Sequence, residues 1–110
     1  MSTLAERKCV PCEGGRARAL DTGGIASYLR ELGTGWQVIG THHLEREFTF
    51  PDFARALAFT NRLGAVAEEQ GHHPDIYLTW GRVRVTLWTH AVNGLTENDF
   101  ILAARADTLL

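Results

Sequence analysis

A single helical stripe, bracketed by segments that alternate, limits the architecture of this chain more than any other feature. Phe53, Ala56, Leu57, Thr60, Leu63, Gly64 and Ala67 fall on one side of a helix, and Phe59 and Val66 widen that side beyond what one sheet would cover. A second covering surface, such as another subunit, is therefore expected, and Gly64 and Ala65 are small enough to let two helices approach closely. Pro51 fits the first turn of this helix, where its missing N–H is no loss, and Asp52 complements the positive end of the helix dipole. The helix should end near Gly71, because Pro74 drives His73 out of the α region into an extended conformation. The adjacent rings of His72 and His73 should then point in divergent directions.

On both sides of the stripe the pattern changes to period two. Upstream, Trp36, Val38 and Gly40 lie on one side of a possible strand, and His42, Leu44, Arg46, Phe48 and Phe50 continue the alternation through a second run from His43 to Phe50. Gly40 and Thr41 lie between the runs and allow a hairpin, which leaves His42 and His43 on a strand surface or in the turn. Downstream, Ile76 to Trp80 and Arg82 to Trp88 alternate with a break at Gly81. Val83, Val85 and Leu87 should face the core, with Arg84, Thr86, Trp88 and His90 opposite. A short first helix spans Gly24 to Leu32, started by Asp21 or Thr22 and ended by Gly33. Thr96 and Asp99 stand at capping-box spacing and open a last helix through Ile101, Leu102, Ala104 and Arg105. The fold class that follows is α+β: a four-stranded antiparallel sheet with three helices packed on one face, in the order α-β-β-α-β-β-α.

With 110 residues, 45% of them hydrophobic, the chain can bury one modest core. Residues 1–20 read as an arm without regular periodicity, in which Gly14, Gly15, Arg16 and Arg18 favour an exposed connection; residues 21–110 read as a single domain. The net charge is −2 and no run of five like charges occurs, so nucleic acid is not an expected partner. No apolar run approaches the roughly 20 residues that cross a bilayer, and the first residues lack the apolar core of a signal peptide. No membrane association is expected, and the expected location is cytoplasmic. The two cysteines, Cys9 and Cys12, lack the second ligand pair of a structural zinc site, and Pro11 and two following glycines do not suit a redox motif that opens a helix. They read as reduced thiols in a turn-rich arm, with half a metal site or a redox pair as the alternatives.

Chemistry points to the histidines. Three of the five, His72, His73 and His90, fall between the long helix and the end of the fourth strand. Imidazole is the side chain whose ordinary pKa lets it exchange protons near neutrality. Adjacent histidines rarely share one metal ion comfortably, and no His-Glu-x-x-His spacing supports zinc. No serine sits in a Gly-x-Ser-x-Gly elbow. General acid and base work around a small polar molecule remains, and such proton transfer typically contributes about 100- to 10,000-fold.

The same residues carry a resemblance. Glu68, three residues, His72-His73-Pro74, five residues, Trp80, nine residues, His90, eight residues and Asp99 resemble the signature of the pterin carbinolamine dehydratases. The likeness extends to the Cys-x-x-Cys-Glu-Gly-Gly opening, the Trp36 strand, the Phe48 to Phe53 junction and the turn from Thr89-His90 to Gly94-Leu95-Thr96. Ile76 and Asn98 depart from it, standing where several animal members have tryptophan and arginine.

What the resemblance implies is a dehydratase that expels the hydroxyl of 4a-hydroxytetrahydropterin as water, giving quinonoid dihydropterin and recycling the cofactor of aromatic amino acid hydroxylases. By matching position, His72 and His90 would be acids toward hydroxyls on the two faces of the pterin, and His73 would bind substrate and act as base. Glu68 would orient a ring or be a plain exposed carboxylate; Trp80 would wall the pterin or pack in the core or a turn. Asp99 would be a first-turn helix carboxylate with a secondary effect on the site. No cofactor, metal or nucleotide is implied, since the pterin is the substrate. Family members also pair subunits through the sheet edge and stack dimers through the second helix, which implies a homodimer or homotetramer. Some act as binding proteins instead, as partners of a homeodomain transcription factor or as RuBisCO assembly factors, and a noncatalytic protein of this kind is the alternative.

Overall fold

Asp52 opens the long helix: its side chain accepts the N–H of Arg55 at 2.8 Å, and α2 then runs Phe53–Gln70 in this computed structural model, which describes residues 3–10 and 18–110. Asp52 is thus the cap, and Pro51 stands one residue outside the helix instead of in its first turn. Ala56, Phe59, Leu63 and Ala67 form the buried side, with Phe59 against Phe48 and Phe50 at ring distances of 4.7 and 5.2 Å. The expected stripe was therefore set off in phase. Phe53 and Leu57 are 44% and 38% exposed. Phe59 has two sheet-side rings to pack on, Phe48 and Phe50, and so its side of the helix, not that of Phe53, meets the sheet.

The remaining elements are α1 (Thr22–Leu32), β1 (Gln37–Ile39), β2 (His43–Thr49), β3 (Asp75–Leu78), β4 (Arg82–Leu87) and α3 (Glu97–Asp107). Three helices and a four-stranded, wholly antiparallel sheet of order β1-β2-β4-β3 give the expected α+β class. The sheet register pairs Leu44 with Leu87 and Phe48 with Val83, and these residues together with Val85 are buried under the helices. The other face is charged: Arg82 meets Glu47 at 3.1 Å, Arg84 meets Glu45 at 3.4 Å, and Arg84 also lies over Tyr77. One face apolar and one face solvated is what lets an antiparallel sheet carry helices on a single side.

Two ends of strands are shorter than the alternation suggests. Trp80 belongs to the tight β3–β4 turn, closed by the Thr79 N–H to the Arg82 carbonyl at 2.8 Å. His90 lies beyond β4, as the first residue of a one-turn 3-10 helix, His90–Val92. At the far end of the core, Asp107 accepts the Trp36 indole N–H at 3.0 Å and an Arg46 N–H at 2.7 Å. Gly35 makes that arrangement possible, because it sits at φ 107° and a Cβ there would come within 2.9 Å of the Arg46 guanidinium.

The first described residues of the arm are tied to the domain, while Arg18, part of the expected exposed connection, is exposed. Leu4 is buried in a short 3-10 turn, Leu4–Glu6, and Arg105 donates to the Arg7 carbonyl, tying the segment to α3. Cys12, Gly14, Gly15 and Arg16 lie outside the described residues. No described helix is long and apolar enough to cross a membrane.

Candidate active site

Gly71 ends α2 in the left-handed conformation, at φ 65° and ψ 26°, and its N–H returns to the carbonyls of Ala67 and Glu68. That cap turns the chain sharply, so His72 and His73 leave the helix end in an extended run held by Pro74. Both face a cavity of about 640 Å³ that His90 and Trp88 also line. The two rings diverge, as expected, and each finds a different carboxylate.

His72 meets Asp99: Nε2 lies 2.6 Å from Oδ1. Asp99 is fully buried, and its Oδ2 accepts the Thr89 hydroxyl at 2.7 Å and the Thr96 N–H at 2.9 Å. A carboxylate that accepts from both a ring and a helix cap is fixed in place, so it fixes the ring too. Asp99 is accordingly the helix carboxylate the sequence suggests and also a direct partner of a site histidine. With Nε2 engaged, Nδ1 is the nitrogen left for proton exchange, as His72 makes no other side-chain hydrogen bond among the described residues. Glu68 pairs with His73 through Nε2. Both are largely exposed, His73 at 61% and Glu68 at 78%, so this pair orients a ring and adds little to stability.

His90 has no side-chain hydrogen bond among the described residues; it is held by stacking on Trp88, centroids 3.8 Å apart and planes 19° apart. Trp88 is a site residue that sequence reasoning left on the outer face of a strand. Its signal was present in the spacing, since residues two apart along an extended segment share a side. Trp80, by contrast, is 68% exposed in the β3–β4 turn and does not line the cavity.

The arm closes one wall. The Cys9 N–H donates to Gln70 Oε1 at 2.9 Å, the Val10 N–H to Asn98 Oδ1 at 2.9 Å, and Asn98 Nδ2 to the Val10 carbonyl at 2.6 Å. Asn98 thus faces a backbone segment, which its short amide matches with one donor and one acceptor. Nothing local in the sequence announces these contacts, which span 61 and 88 residues.

Two ionisable groups outside the cavity are displaced from their ordinary values. The Tyr28 hydroxyl is pushed up because it donates to Glu97 at 2.7 Å, and burial adds to this. Asp107 is pushed up by burial, against the lowering effect of its Trp36 and Arg46 partners. Among the described residues no group of three or more His, Cys, Asp or Glu is placed to hold a metal ion.

Fold and cavity together define a class: an α+β protein with one open sheet that gathers imidazoles, each backed by a carboxylate or an aromatic ring, around one cavity of about 640 Å³. The comparisons narrow it. The family profile for pterin 4 alpha carbinolamine dehydratase matches residues 18–109. A protein of Alkaliphilus metalliredigens, provisionally named a pterin-4-alpha-carbinolamine dehydratase, is 50% identical over 107 residues, 97% of this chain and 96% of its own. One of Rubrobacter xylanophilus with the same provisional name is 50% identical over 109 residues, covering 99% and 100%. Among solved structures, a transcriptional coactivator/pterin dehydratase from Brucella melitensis superposes with TM-score 0.79 at 35% identity, over 84% of this chain and 98% of that one. A pterin dehydratase-like protein identified as a RuBisCO assembly factor in the alpha-carboxysome superposes with TM-score 0.61 at 32% identity, over 71% and 92%. The chain belongs to the pterin-4-alpha-carbinolamine dehydratase family.

Proposed function

We propose that this chain removes water from 4a-hydroxytetrahydropterin to give quinonoid dihydropterin, and so returns the cofactor used by aromatic amino acid hydroxylases. The observation that carries this reading is the convergence of His72, His73 and His90 on one cavity, the first two backed by Asp99 and Glu68. In the reaction the C4a–O bond breaks, the N5–H proton is lost and a C4a=N5 double bond forms. The hydroxyl gains a proton and departs as water, so one proton is delivered and one collected. His72 and His90 act as acids toward a hydroxyl on either face, and His73 holds the substrate and takes the N5 proton. Trp88 offers a flat surface beside His90. The step neither oxidises nor reduces the pterin, and it calls for no redox cofactor.

A homo-oligomer belongs to the same reading, supported by the exposed Phe53 and Leu57 on the outer side of α2. Stopped-flow recording of carbinolamine decay tests the activity. Replacing His73 with Ala should lower turnover at least about 100-fold, the lower end of the range for a positioned proton-transfer group, with circular dichroism unchanged. Decay that wild-type protein leaves unchanged would dispose of the enzyme and favour a binding role of the kind that names the assembly-factor neighbour.

A further inference from the structure

His42 and His43, outside the cavity, form a chain of contacts that ends at His90. His42 Nε2 lies 3.0 Å from Asn93 Oδ1, and its ring rests against Trp88 at 4.5 Å. An amide oxygen only accepts, so Nε2 carries the proton, and in the neutral ring Nδ1 accepts from His43 Nδ1 at 3.1 Å. Trp88 precedes His90, and Asn93 is the residue on which the 3-10 turn His90–Val92 ends, at φ 50°. One side chain therefore grips the segment carrying His90 at both ends. Its backbone is fixed in turn by the β1–β2 hairpin, where the His42 N–H returns to the Ile39 carbonyl at 2.9 Å. The same hairpin holds Thr41 at φ 53°. A β-branched residue there is strained, and such strain persists only where the surroundings impose the conformation.

We propose that His42 is a positioning residue for His90: it braces the Trp88–His90 stack and the turn behind it, so that the His90 ring meets the substrate at a fixed angle. This rests on the dehydratase reading, and the experiment separates the two. His42→Leu keeps bulk against Trp88 but loses the donor, while Asn93→Gly removes the acceptor at a position whose left-handed backbone glycine adopts without strain. Each should lower kcat about 10-fold with KM within about twofold, a part of what a positioned proton-transfer group supplies. The double variant should fall no further than either single one, because both break the same bond. His42→Gln, which sets an amide N–H near the place of Nε2, should recover kcat to within about threefold of wild type.

The second readout is the NMR signal of the His90 ring protons, which stacking on the Trp88 indole shifts upfield. That shift should shrink in His42→Leu and Asn93→Gly and return in His42→Gln. A retained shift in both variants overturns the brace, whatever kcat does, and so does a lost shift with kcat unchanged. If wild-type protein has no dehydratase activity, the functional reading fails, and loss or retention of the ring shift still decides the brace. Should His42→Leu not fold, Asn93→Gly decides alone.

Discussion

Asp107 carries its charge where burial opposes it, and the sign of the consequence can be worked out. Its folded pKa lies above the ordinary value of 3.8, so between the two values the folded chain holds a proton that the unfolded chain has released. The stability it contributes is complete below about 3.8 and is lost as pH rises through the folded value. Asp107→Asn keeps an acceptor for the Trp36 N–H and removes the titration. Urea unfolding should therefore show wild type losing stability relative to Asp107→Asn as pH rises above 3.8; a difference that stays flat would contradict the assignment. At this scale the sequence revealed the site unevenly. His72, His73 and His90 stood out because imidazole exchanges protons near neutrality and the three fall between the long helix and the end of the fourth strand. Asp99 was legible as a cap but not as the partner of His72, and the roles of Asn98 and Gln70 depend on the path of the arm, which no local pattern encodes.

Elements were legible where one residue type dictates a boundary. Asp21 caps α1 through the Gly24 N–H at 2.7 Å, and Gly33 and Gly71 end α1 and α2, all as spacing and glycine placement suggest. The phase of α2 was not, because its pattern is apolar on more than one side and only packing against Phe48 and Phe50 selects Phe59 as its centre. Gly71 matters most for the candidate site, since its left-handed cap sets where His72 leaves the helix. A Cβ there meets nothing within 4 Å, so Gly71→Ala adds backbone strain alone. It should lower unfolding stability by about 1 kcal/mol and reduce turnover more than its stability loss explains, as His72 is turned from Asp99. A variant with full turnover at reduced stability would separate the cap from the catalytic geometry.

For the whole molecule, period-two segments around one long helix sufficed to give the α+β class, since short turns permit only antiparallel neighbours. Strand order was not legible: the pairing of β2 with β4 joins segments separated by α2, and register across it is set by Leu44, Phe48, Val83 and Leu87 meeting in the core. The apolar residues left outside, Phe53 and Leu57, bear on assembly. The proposed assembly predicts that light scattering after gel filtration gives wild type a mass above that of one protomer and that Leu57→Glu lowers it without unfolding the protomer, because a charge in an apolar interface is strongly unfavourable. An unchanged mass would put the contact elsewhere. The central claim is that three imidazoles from the end of α2 and the end of β4 surround one pterin. Its most direct measurement is an NMR titration with an oxidised pterin that cannot react, following the side chains of His72, His73, His90 and Trp80. Signals of all three histidine rings should move together along one saturation curve while the Trp80 indole stays still; shifts at one ring only, or at none, would contradict it.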